Sequence, residues 1–250
     1  MEAFTTIHRG TAHAVVRRDC ADVVAAALVD GAGCEPWRAG GRAAVFRFPC
    51  GAGYAVVRHY RRGGLAAHVL PPTRFLANRP KQEFDAHRAA EESGLPVPRL
   101  LGVVWRTRGP FFSGGIATEA LDAPTLQDAL PNAPAPEETL AGVGALVRRM
   151  HDAGIVHADL QIRNILISAS GPVLLDFDKA RVGRVPGRIG RARNVYRLRR
   201  SLEKNGFAHP GLFEALLRGY GGFSPPAWLG VLYRLKGRCS DVLPGSERHA

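Results

Sequence analysis

Short apolar runs with strand character fill most of the first half of the chain, and only two segments there show helical spacing. Strands are predicted at 13–18, 43–48, 53–58, 99–106 and 111–119. Glycines between the second and third of these strands favour a hairpin turn. Helices are predicted over 19–31, with Asp19 or Asp22 as the cap, and over 81–93.

The second half of the chain changes to helical periodicity. Apolar residues over 137–150 recur on one face of a helix, and the proline-rich stretch 131–136 before it is predicted to be a mobile loop. The chain beyond Arg181 is predicted to be helical to about Asn205. Shorter helices are predicted around 210–219 and 226–237. A hairpin of two short apolar strands interrupts this helical half.

The order of these elements predicts the fold class. Strands with one main helix come first, and helices around a central hairpin follow, which is typical of an α+β protein and not of a doubly wound sheet. We therefore expect two lobes within one domain, 1–120 and 121–250, with the crossing point near 122–124. A chain of 250 residues can bury a substantial core in such a domain.

Charge and cysteine content narrow the class of protein. The net charge is +12 and arginine dominates the basic residues, so we expect an anionic partner such as a nucleotide, a phosphorylated glycan, a phospholipid headgroup or a nucleic acid. The four cysteines are widely spaced, which favours reduced thiols in a cytosolic protein over a zinc site or a disulfide framework. We expect no secretory signal, because the first residues lack a basic region followed by an apolar core, and no membrane-crossing segment, because the longest uncharged run is short and contains glycine and proline.

The strongest chemical signal is a polar loop that lies beside two apolar strands. The sequence from His157 to Asn164 is His-Ala-Asp-Leu-Gln-Ile-Arg-Asn, so Asp159 and Asn164 stand just before the first strand, and Asp176 ends the second. An aspartate that orients a hydroxyl, with an asparagine and an aspartate that hold magnesium on the phosphates of ATP, is the residue set of phosphoryl transfer on the protein-kinase fold. A two-lobed protein-kinase-like fold is therefore predicted. The alternative is two ordinary polar turns in an α/β domain.

Residues of the first half complete a nucleotide site in that interpretation. The backbone amides of Gly40, Gly41 and Arg42 could cover phosphates, although a glycine pair can equally be a simple turn. Arg58 ends a strand where protein kinases carry a lysine, and Glu83 on the following helix is its best partner, since the other glutamates lie too near the helix end. An exposed strand-edge cation and an exposed helix residue are the alternatives.

Three residues near the loop indicate how this chain differs from regulated protein kinases or which side chains have structural roles. His157 is expected to be a packed scaffold residue and not a general base. Ala158 replaces the arginine that clamps a phosphorylated activation loop in many protein kinases, which argues against that kind of switch. Asp178 stands where protein kinases have glycine, so a backbone flip is not expected; its side chain either adds to the metal site or caps the next segment.

Basic residues concentrate in two regions. Ten of the residues from 179 to 204 are lysine or arginine, and Glu203 is the only acid among them. The second region, Arg-His-Tyr-Arg-Arg over 58–62, follows the proposed phosphate strand. A run of charge is usually a solvated face, but this density favours a site for a polyanion or an anionic headgroup. Nucleic acid is not the expected partner, because aromatic residues are few and not interleaved with the basic ones.

These motifs resemble the lipopolysaccharide-core kinases, and among them the 3-deoxy-D-manno-octulosonic acid (Kdo) kinases. The resemblance rests on Arg58-His-Tyr-Arg-Arg-Gly-Gly-Leu65, Glu83 ahead of Gly94-Leu-Pro-Val-Pro98, Thr118-Glu-Ala-Leu121, His151-Asp-Ala-Gly-Ile-Val-His-Ala-Asp159 with Asn164-Ile-Leu166, and Leu175-Asp-Phe-Asp178. It runs from about Gly40 to Lys204. Arginine at 58 and aspartate at 178 are usual in this family, so neither indicates an inactive enzyme.

The resemblance implies ATP-dependent phosphorylation of a Kdo hydroxyl on a Kdo–lipid A precursor, at the cytoplasmic face of the inner membrane. It implies that Asp159 is catalytic, that Asn164 and Asp176 bind Mg²⁺, and that Arg58 with Glu83 positions phosphates. Gly40, Gly41, Arg42 and Glu119 complete the expected nucleotide-binding set. The expected acceptor-binding residues are Arg61, Arg62, Arg163, Lys179 and Arg181.

Two other functions stay open at this point. The chain could phosphorylate a different small molecule or a protein, although Ala158 argues against a regulated protein kinase and the positive charge argues against cationic antibiotics as acceptors. It could also be a pseudokinase that binds lipid or nucleic acid. Magnesium-dependent binding of ATP would distinguish an active kinase from such a scaffold.

Overall fold

The computed structural model describes residues 3–37, 45–60, 73, 75–226 and 228–232. Contacts divide the chain into two compact units. Unit 1 is Met1–Asp122 together with Asp176–Asp178, and unit 2 is Ala123–Leu175 together with Lys179–Ala250. The nucleotide-covering and catalytic roles assigned to 1–120 and 121–250 stay predictions.

Unit 1 is built on a sheet of seven antiparallel strands. They are β1 (Phe4–Arg9), β2 (Ala12–Arg17), β3 (Glu35–Pro36), β4 (Val45–Cys50), β5 (Gly53–His59), β6 (Leu100–Arg108) and β7 (Phe111–Glu119). Their order in the sheet is β1-β2-β6-β7-β5-β4-β3. Two helices accompany the sheet, α1 (Ala21–Asp30) and α2 (Arg79–Glu92).

The alternation of side chains along β5 decides where Arg58 lies. Ala55 and Val57 belong to the core that α1 covers. Because neighbouring strand residues point to opposite faces of a sheet, Arg58 faces the other side, where Phe84 of α2 packs. Asn78 caps the start of α2, because its side-chain oxygen accepts a hydrogen bond from the Lys81 N–H.

Unit 2 is mostly helical. Its helices are α3 (Leu126–Ala129), α4 (Pro136–Asp152), α5 (Arg188–Lys204) and α6 (Pro210–Gly219), and residues 228–232 are also helical. Its strands form two antiparallel pairs, β9 (Ile165–Ser168) with β10 (Gly171–Leu174), and β8 (Ile155–His157) with β11 (Ala180–Val182).

Two glycines let α4 and α6 lie against each other. A Cβ atom at Gly144 would be 2.0 Å from the Leu216 carbonyl oxygen, and one at Gly219 would be 1.9 Å from the Ala141 carbonyl oxygen. Any larger residue at either position would force the helices apart. Helix α4 also leads directly to β8 and the loop after it, so this packing supports the base of the loop.

The structure differs from the sequence predictions at several elements. Strand β1 and helix α3 were not predicted, and the first two residues of the loop predicted at 131–136 belong to a short helical turn, Leu130–Asn132. The chain after Arg181 continues as β11 and becomes helical only at Arg188, because Pro186 and Gly187 come before it. Neither Asp19 nor Asp22 caps α1 through its side chain; Asp19 binds Arg99 instead. Of the helix predicted at 226–237, the described residues 228–232 are helical.

Candidate functional site

Arg58 is the centre of a buried polar cluster in unit 1. Its guanidinium donates to Glu83 Oε1 at 2.5 Å and to Asp176 Oδ1 at 3.0 Å. The Tyr60 hydroxyl donates to the other oxygen of Glu83. Glu83 is 2% exposed, whereas the Arg58 side chain keeps about a quarter of its surface accessible, 26%. The contact predicted between Arg58 and Glu83 is present, and Tyr60 is a member that the sequence did not reveal.

The charges of this cluster stabilise one another. Burial disfavours the charge on Arg58, but the carboxylates of Glu83 and Asp176 outweigh burial and hold its pKa above the ordinary value. Burial raises the pKa of Glu83, while Arg58 acts in the opposite direction. Burial also raises the pKa of Tyr60, so its hydroxyl remains a donor to Glu83. Arg58 is therefore a permanent cation that can face an anionic ligand.

Each residue of the Asp176–Asp178 segment is held by a different side chain of unit 1. Asp176 binds Arg58, Phe177 packs on the His87 ring with 5.1 Å between centroids, and Asp178 receives two bonds from Arg79. Phe177 is fully buried. Asp176 has a φ angle of 60°, in the left-handed region that residues other than glycine seldom adopt. The structure thus gives Asp178 an ion pair, and Arg79 was not predicted to take part.

The loop from His157 to Asn164 in unit 2 is shaped by hydrogen bonds to the main chain. His157 is fully buried, accepts from the Asp159 N–H at 3.2 Å through Nδ1 and places Nε2 3.0 Å from the Leu175 carbonyl oxygen. The imidazole thereby joins the loop to the strand that precedes Asp176. This is the scaffold role expected for His157.

The two residues of this loop with predicted phosphotransfer roles are fixed by their near neighbours. Asn164 donates from Nδ2 to the Asp159 carbonyl oxygen at 2.8 Å, which closes the loop. The Asp159 carboxylate accepts from Gln161 Nε2 at 2.6 Å and is partly exposed. Asp159 is therefore accessible and oriented.

Two residues of α5 support the loop from a distance in sequence. Asn194 donates to the His157 carbonyl oxygen and accepts from the His157 N–H, both at 3.1 Å. Its oxygen is also 3.1 Å from His151 Nε2. The Ser201 hydroxyl accepts from the Ile162 N–H at 3.1 Å. Both were missed from the sequence, although a polar residue such as Asn194 within a buried helix face signals a hydrogen-bonding role.

The remaining predicted residues fall into two groups. Glu119 is exposed at the end of β7, and Arg163, Lys179 and Arg181 are exposed in unit 2, where Arg163 donates to Gln127 at 2.7 Å. The others lie outside the described residues. These are Gly40, Gly41, Arg42, Arg61 and Arg62.

The donor atoms proposed for magnesium are of the right chemical kind. Mg²⁺ prefers oxygen ligands and is commonly held by one or two carboxylates together with phosphate oxygens. Asp176 offers a carboxylate and Asn164 an amide oxygen. No group of three or more His, Cys, Asp or Glu side chains suited to a metal occurs among the residues that the structure describes. Each of the two residues by itself supplies an oxygen atom of the kind that Mg²⁺ binds.

Comparison with known proteins gives one family. Residues 35–220 match the sequence model described as the lipopolysaccharide kinase (Kdo/WaaP) family. A protein named 3-deoxy-D-manno-octulosonic acid kinase from Stenotrophomonas maltophilia (strain R551-3) is 38% identical over 183 residues, which cover 70% of this chain and 72% of that protein. The protein of the same name from Xylella fastidiosa (strain M12) is 33% identical over 175 residues, which cover 68% and 70%.

Solved structures give the same fold. The chain is similar to WaaP in a complex with acyl carrier protein, with a TM-score of 0.55 and 21% identity over 83% of this chain and 88% of that one. It is also similar to an aminoglycoside-3'-phosphotransferase of type VIII, with a TM-score of 0.58 and 17% identity over 88% and 98%. The predicted α+β, protein-kinase-like fold is confirmed.

Proposed function

The chain belongs to the lipopolysaccharide kinase (Kdo/WaaP) family, and we propose that it phosphorylates a hydroxyl of Kdo on a Kdo–lipid A precursor with ATP as the donor. Its activity is that of a phosphotransferase with a hydroxyl acceptor. The observation that carries the proposal is the extent of the match. The curated relatives are named Kdo kinases, and the matched residues 35–220 include Arg58, Asp159 and Asp176.

We propose that the cluster in unit 1 positions the nucleotide. Arg58 would hold phosphate oxygens with its guanidinium, which two carboxylates keep charged and in place. Glu83 and Tyr60 would fix the direction of that guanidinium, since both are buried and bonded to each other. Arg58 is already bound to Asp176, so binding of a phosphate would shift Arg58 from one anion toward another.

We propose that the loop in unit 2 prepares the acceptor hydroxyl. Asp159 would accept the hydrogen bond of that hydroxyl and orient it for in-line attack on the terminal phosphorus. Gln161 limits the rotation of the Asp159 carboxylate, and Asn164 fixes the main chain beneath it. Asn164 and Asp176 would bind Mg²⁺. The bound ion would neutralise charge on the phosphates of ATP.

We propose that the protein works as a peripheral protein on the cytoplasmic face of the inner membrane, where its glycolipid acceptor would be anchored. The acceptor carries carboxylate and phosphate groups, and the net charge of +12 favours such an anionic surface. Within the described part of the chain, no helix has the length and apolar character needed to cross a bilayer.

Mass spectrometry of the acceptor tests the proposal. Purified protein is incubated with a Kdo–lipid A precursor, ATP and Mg²⁺, and we expect one added phosphoryl group on the Kdo residue. Asp159→Asn keeps the shape of the side chain but removes the carboxylate, so we expect kcat to fall by about 10²- to 10⁴-fold. Binding of ATP by the variant, measured by calorimetry, should change little.

Three outcomes would contradict parts of this proposal. Turnover of ATP without phosphate on Kdo would contradict the acceptor. Unchanged kcat in Asp159→Asn would contradict the catalytic role. Full activity in the presence of a chelator of divalent cations would contradict the use of magnesium.

A further inference from the structure

Arginine and aliphatic residues alternate along an exposed segment of unit 2. The segment 181–189 reads Arg-Val-Gly-Arg-Val-Pro-Gly-Arg-Ile. Its large aliphatic residues, Val182, Val185 and Ile189, are 51%, 55% and 54% exposed, and its three arginines are exposed as well. Single exposed aliphatic residues are normal, but three in nine residues form a local apolar patch set among cations.

Hydrogen bonds fix the main chain of this segment, so the positions from which its side chains project are defined. Val182 pairs with Ile155 in the β8–β11 ladder, and the Gly183 N–H donates to the Gly154 carbonyl oxygen at 3.0 Å. Arg191 donates from Nε to the Pro186 carbonyl oxygen at 2.9 Å.

Helix α5 continues from Ile189 with further basic residues, of which Arg193 and Lys204 are exposed and Arg197 and Arg200 are partly exposed. Ile189, Arg193, Arg197, Arg200 and Lys204 follow one another at spacings of four, four, three and four, which places them along one side of the helix. Buried Val195, Leu198 and Leu202 lie on other sides of α5. Glu203, the acid within this region, is paired with Arg199 at 2.7 Å. We call the 181–189 segment and this stripe the basic–aliphatic surface.

The geometry points to an anionic phospholipid bilayer as the partner of the basic–aliphatic surface. Arginine side chains would bind phosphate headgroups, and Val182, Val185 and Ile189 would enter the boundary between headgroups and acyl chains. A nucleic acid or a free polyanion would use the arginines alone and would give the aliphatic residues no apolar environment. This inference deepens the membrane location proposed above by assigning it to named residues, and it does not depend on Kdo as the acceptor.

Vesicle binding by the full chain tests the surface. The wild type and variants are mixed with vesicles of phosphatidylcholine alone or with added phosphatidylglycerol, and bound protein is measured by flotation. Arg184→Glu with Arg193→Glu reverses two charges of the surface. Arg88→Glu with Arg108→Glu is the matched control, because it changes the net charge equally at exposed positions of unit 1.

A second pair of variants tests the apolar part. Val185→Ser with Ile189→Ser removes two aliphatic side chains of the surface without changing charge. Val23→Ser with Leu76→Ser is its control, since both residues are exposed in unit 1, 45% and 67%. These variants keep the test decisive even where a charge reversal fails to fold.

We expect binding to anionic vesicles to fall at least about thirty-fold in the charge-reversed pair, because each lost basic residue removes roughly 1 kcal/mol of attraction and each new carboxylate adds repulsion. We expect about a tenfold loss in the serine pair, with the salt dependence retained. Both control pairs should bind much like the wild type. All proteins should bind weakly to phosphatidylcholine alone.

Equal binding by the charge-reversed pair and its control would overturn the inference. So would wild-type binding by the serine pair, especially if single-stranded DNA displaced the vesicles, since the surface would then bind any polyanion. The assay contains no ATP, magnesium or Kdo. A negative result would therefore count against the surface and leave the proposed phosphotransfer untouched.

Discussion

The two segments with proposed phosphotransfer roles are held by opposite kinds of interaction. In unit 2, the loop that carries Asp159 and Asn164 is fixed by neutral side chains that bond mainly to main-chain atoms. In unit 1, the carboxylates of Asp176 and Asp178 are themselves bound by the guanidinium groups of Arg58 and Arg79.

The difference lies in whether the carboxylate itself takes part in the bonds that fix each segment. The hydrogen bonds that shape the loop end on main-chain atoms and do not use the Asp159 carboxylate. Among the described residues, that carboxylate accepts a hydrogen bond from the Gln161 side chain. Ion pairs instead hold the carboxylate of Asp176 in a strained backbone, and any cation that binds Asp176 has to share it with Arg58. The Asp159 carboxylate therefore has a neutral partner to exchange for a substrate, whereas the carboxylates of Asp176 and Asp178 are already in ion pairs with arginines.

The largest effect is expected from breaking the charged cluster of unit 1. Glu83→Ala removes the buried acceptor of Arg58 and of the Tyr60 hydroxyl, so the free energy of unfolding should fall by about 3–5 kcal/mol. Urea denaturation measures this change. Glu92→Ala, at the exposed end of the same helix, is the control and should cost below about 1 kcal/mol. A similar loss in both variants would show that the buried cluster stabilises the fold no more than an exposed ion pair does.

The corresponding change in unit 2 is Asn194→Ala. It leaves the N–H and carbonyl groups of buried His157 without their partner, and we expect a loss of about 3 kcal/mol. Because these bonds are neutral, the loss should be the same in low and high salt. Asn194→Asp should cost at least as much, because it buries a carboxylate oxygen against the His157 carbonyl oxygen. A loss that depends strongly on salt would break the comparison drawn above.

Both units should lose stability in acid, because each contains a buried histidine, His87 in unit 1 and His151 in unit 2. Burial lowers the pKa of His87 and of His151 to about 4. The unfolded chain binds these protons near pH 6.5 and the folded chain only near pH 4, so stability is complete above pH 6.5 and falls as the pH drops toward 4. We expect about 2 kcal/mol lost per histidine at pH 5.

Denaturation of His87→Gln and His151→Gln between pH 7 and pH 4.5 measures how much of the stability loss in acid comes from each histidine. Each variant should lose its part of the acid sensitivity relative to the wild type. If one variant removes all of it, the two segments do not share this dependence.

The smallest effect is expected at the ion pair of Asp178. Arg79→Gln removes a partly exposed pair, with side chains 26% and 14% exposed, so we expect a stability loss of about 1.5 kcal/mol. Arg79→Lys should recover part of it, because lysine keeps the charge but not the two-pronged geometry. The apparent affinity for ATP with Mg²⁺ should fall in Arg79→Gln if Asp178 holds Asp176 in place. An unchanged affinity would limit Arg79 to a structural role.

The same division explains what could be predicted from the sequence. The 157–164 loop was predictable because its spacing is local, and the hydrogen bond from Asn164 to Asp159 spans only five residues. The pairing of Arg58 with Glu83 was predicted because Arg58 ends a strand where protein kinases carry a lysine, and because Glu83 lies near the start of the next helix. By contrast, Arg79 and Asp178 are 99 residues apart, and Asn194 and His157 are 37 apart. Periodicity cannot identify such partners.

Signals for two of these residues were nevertheless present. Asp178 occupies a glycine position, and a second carboxylate beside Asp176 needs a cation to be held there. Asn194 lies between buried Ala192 and Val195, where a polar side chain has to find hydrogen-bond partners. Strand β11 could not be predicted as easily, because its pairing with β8 is set by tertiary structure and not by local propensity. The roles of the site residues, the use of magnesium and the membrane location stay predictions.

The left-handed backbone of Asp176 restricts which amino acids can replace it. Glycine would relieve the conformation, with its φ of 60°, but would supply no oxygen atom. Asparagine tolerates the same backbone but is neutral, and glutamate keeps the charge while fitting this conformation poorly. Aspartate combines a tolerated left-handed backbone with a charged oxygen ligand, so the proposed metal role and the φ of 60° favour the same residue at this position.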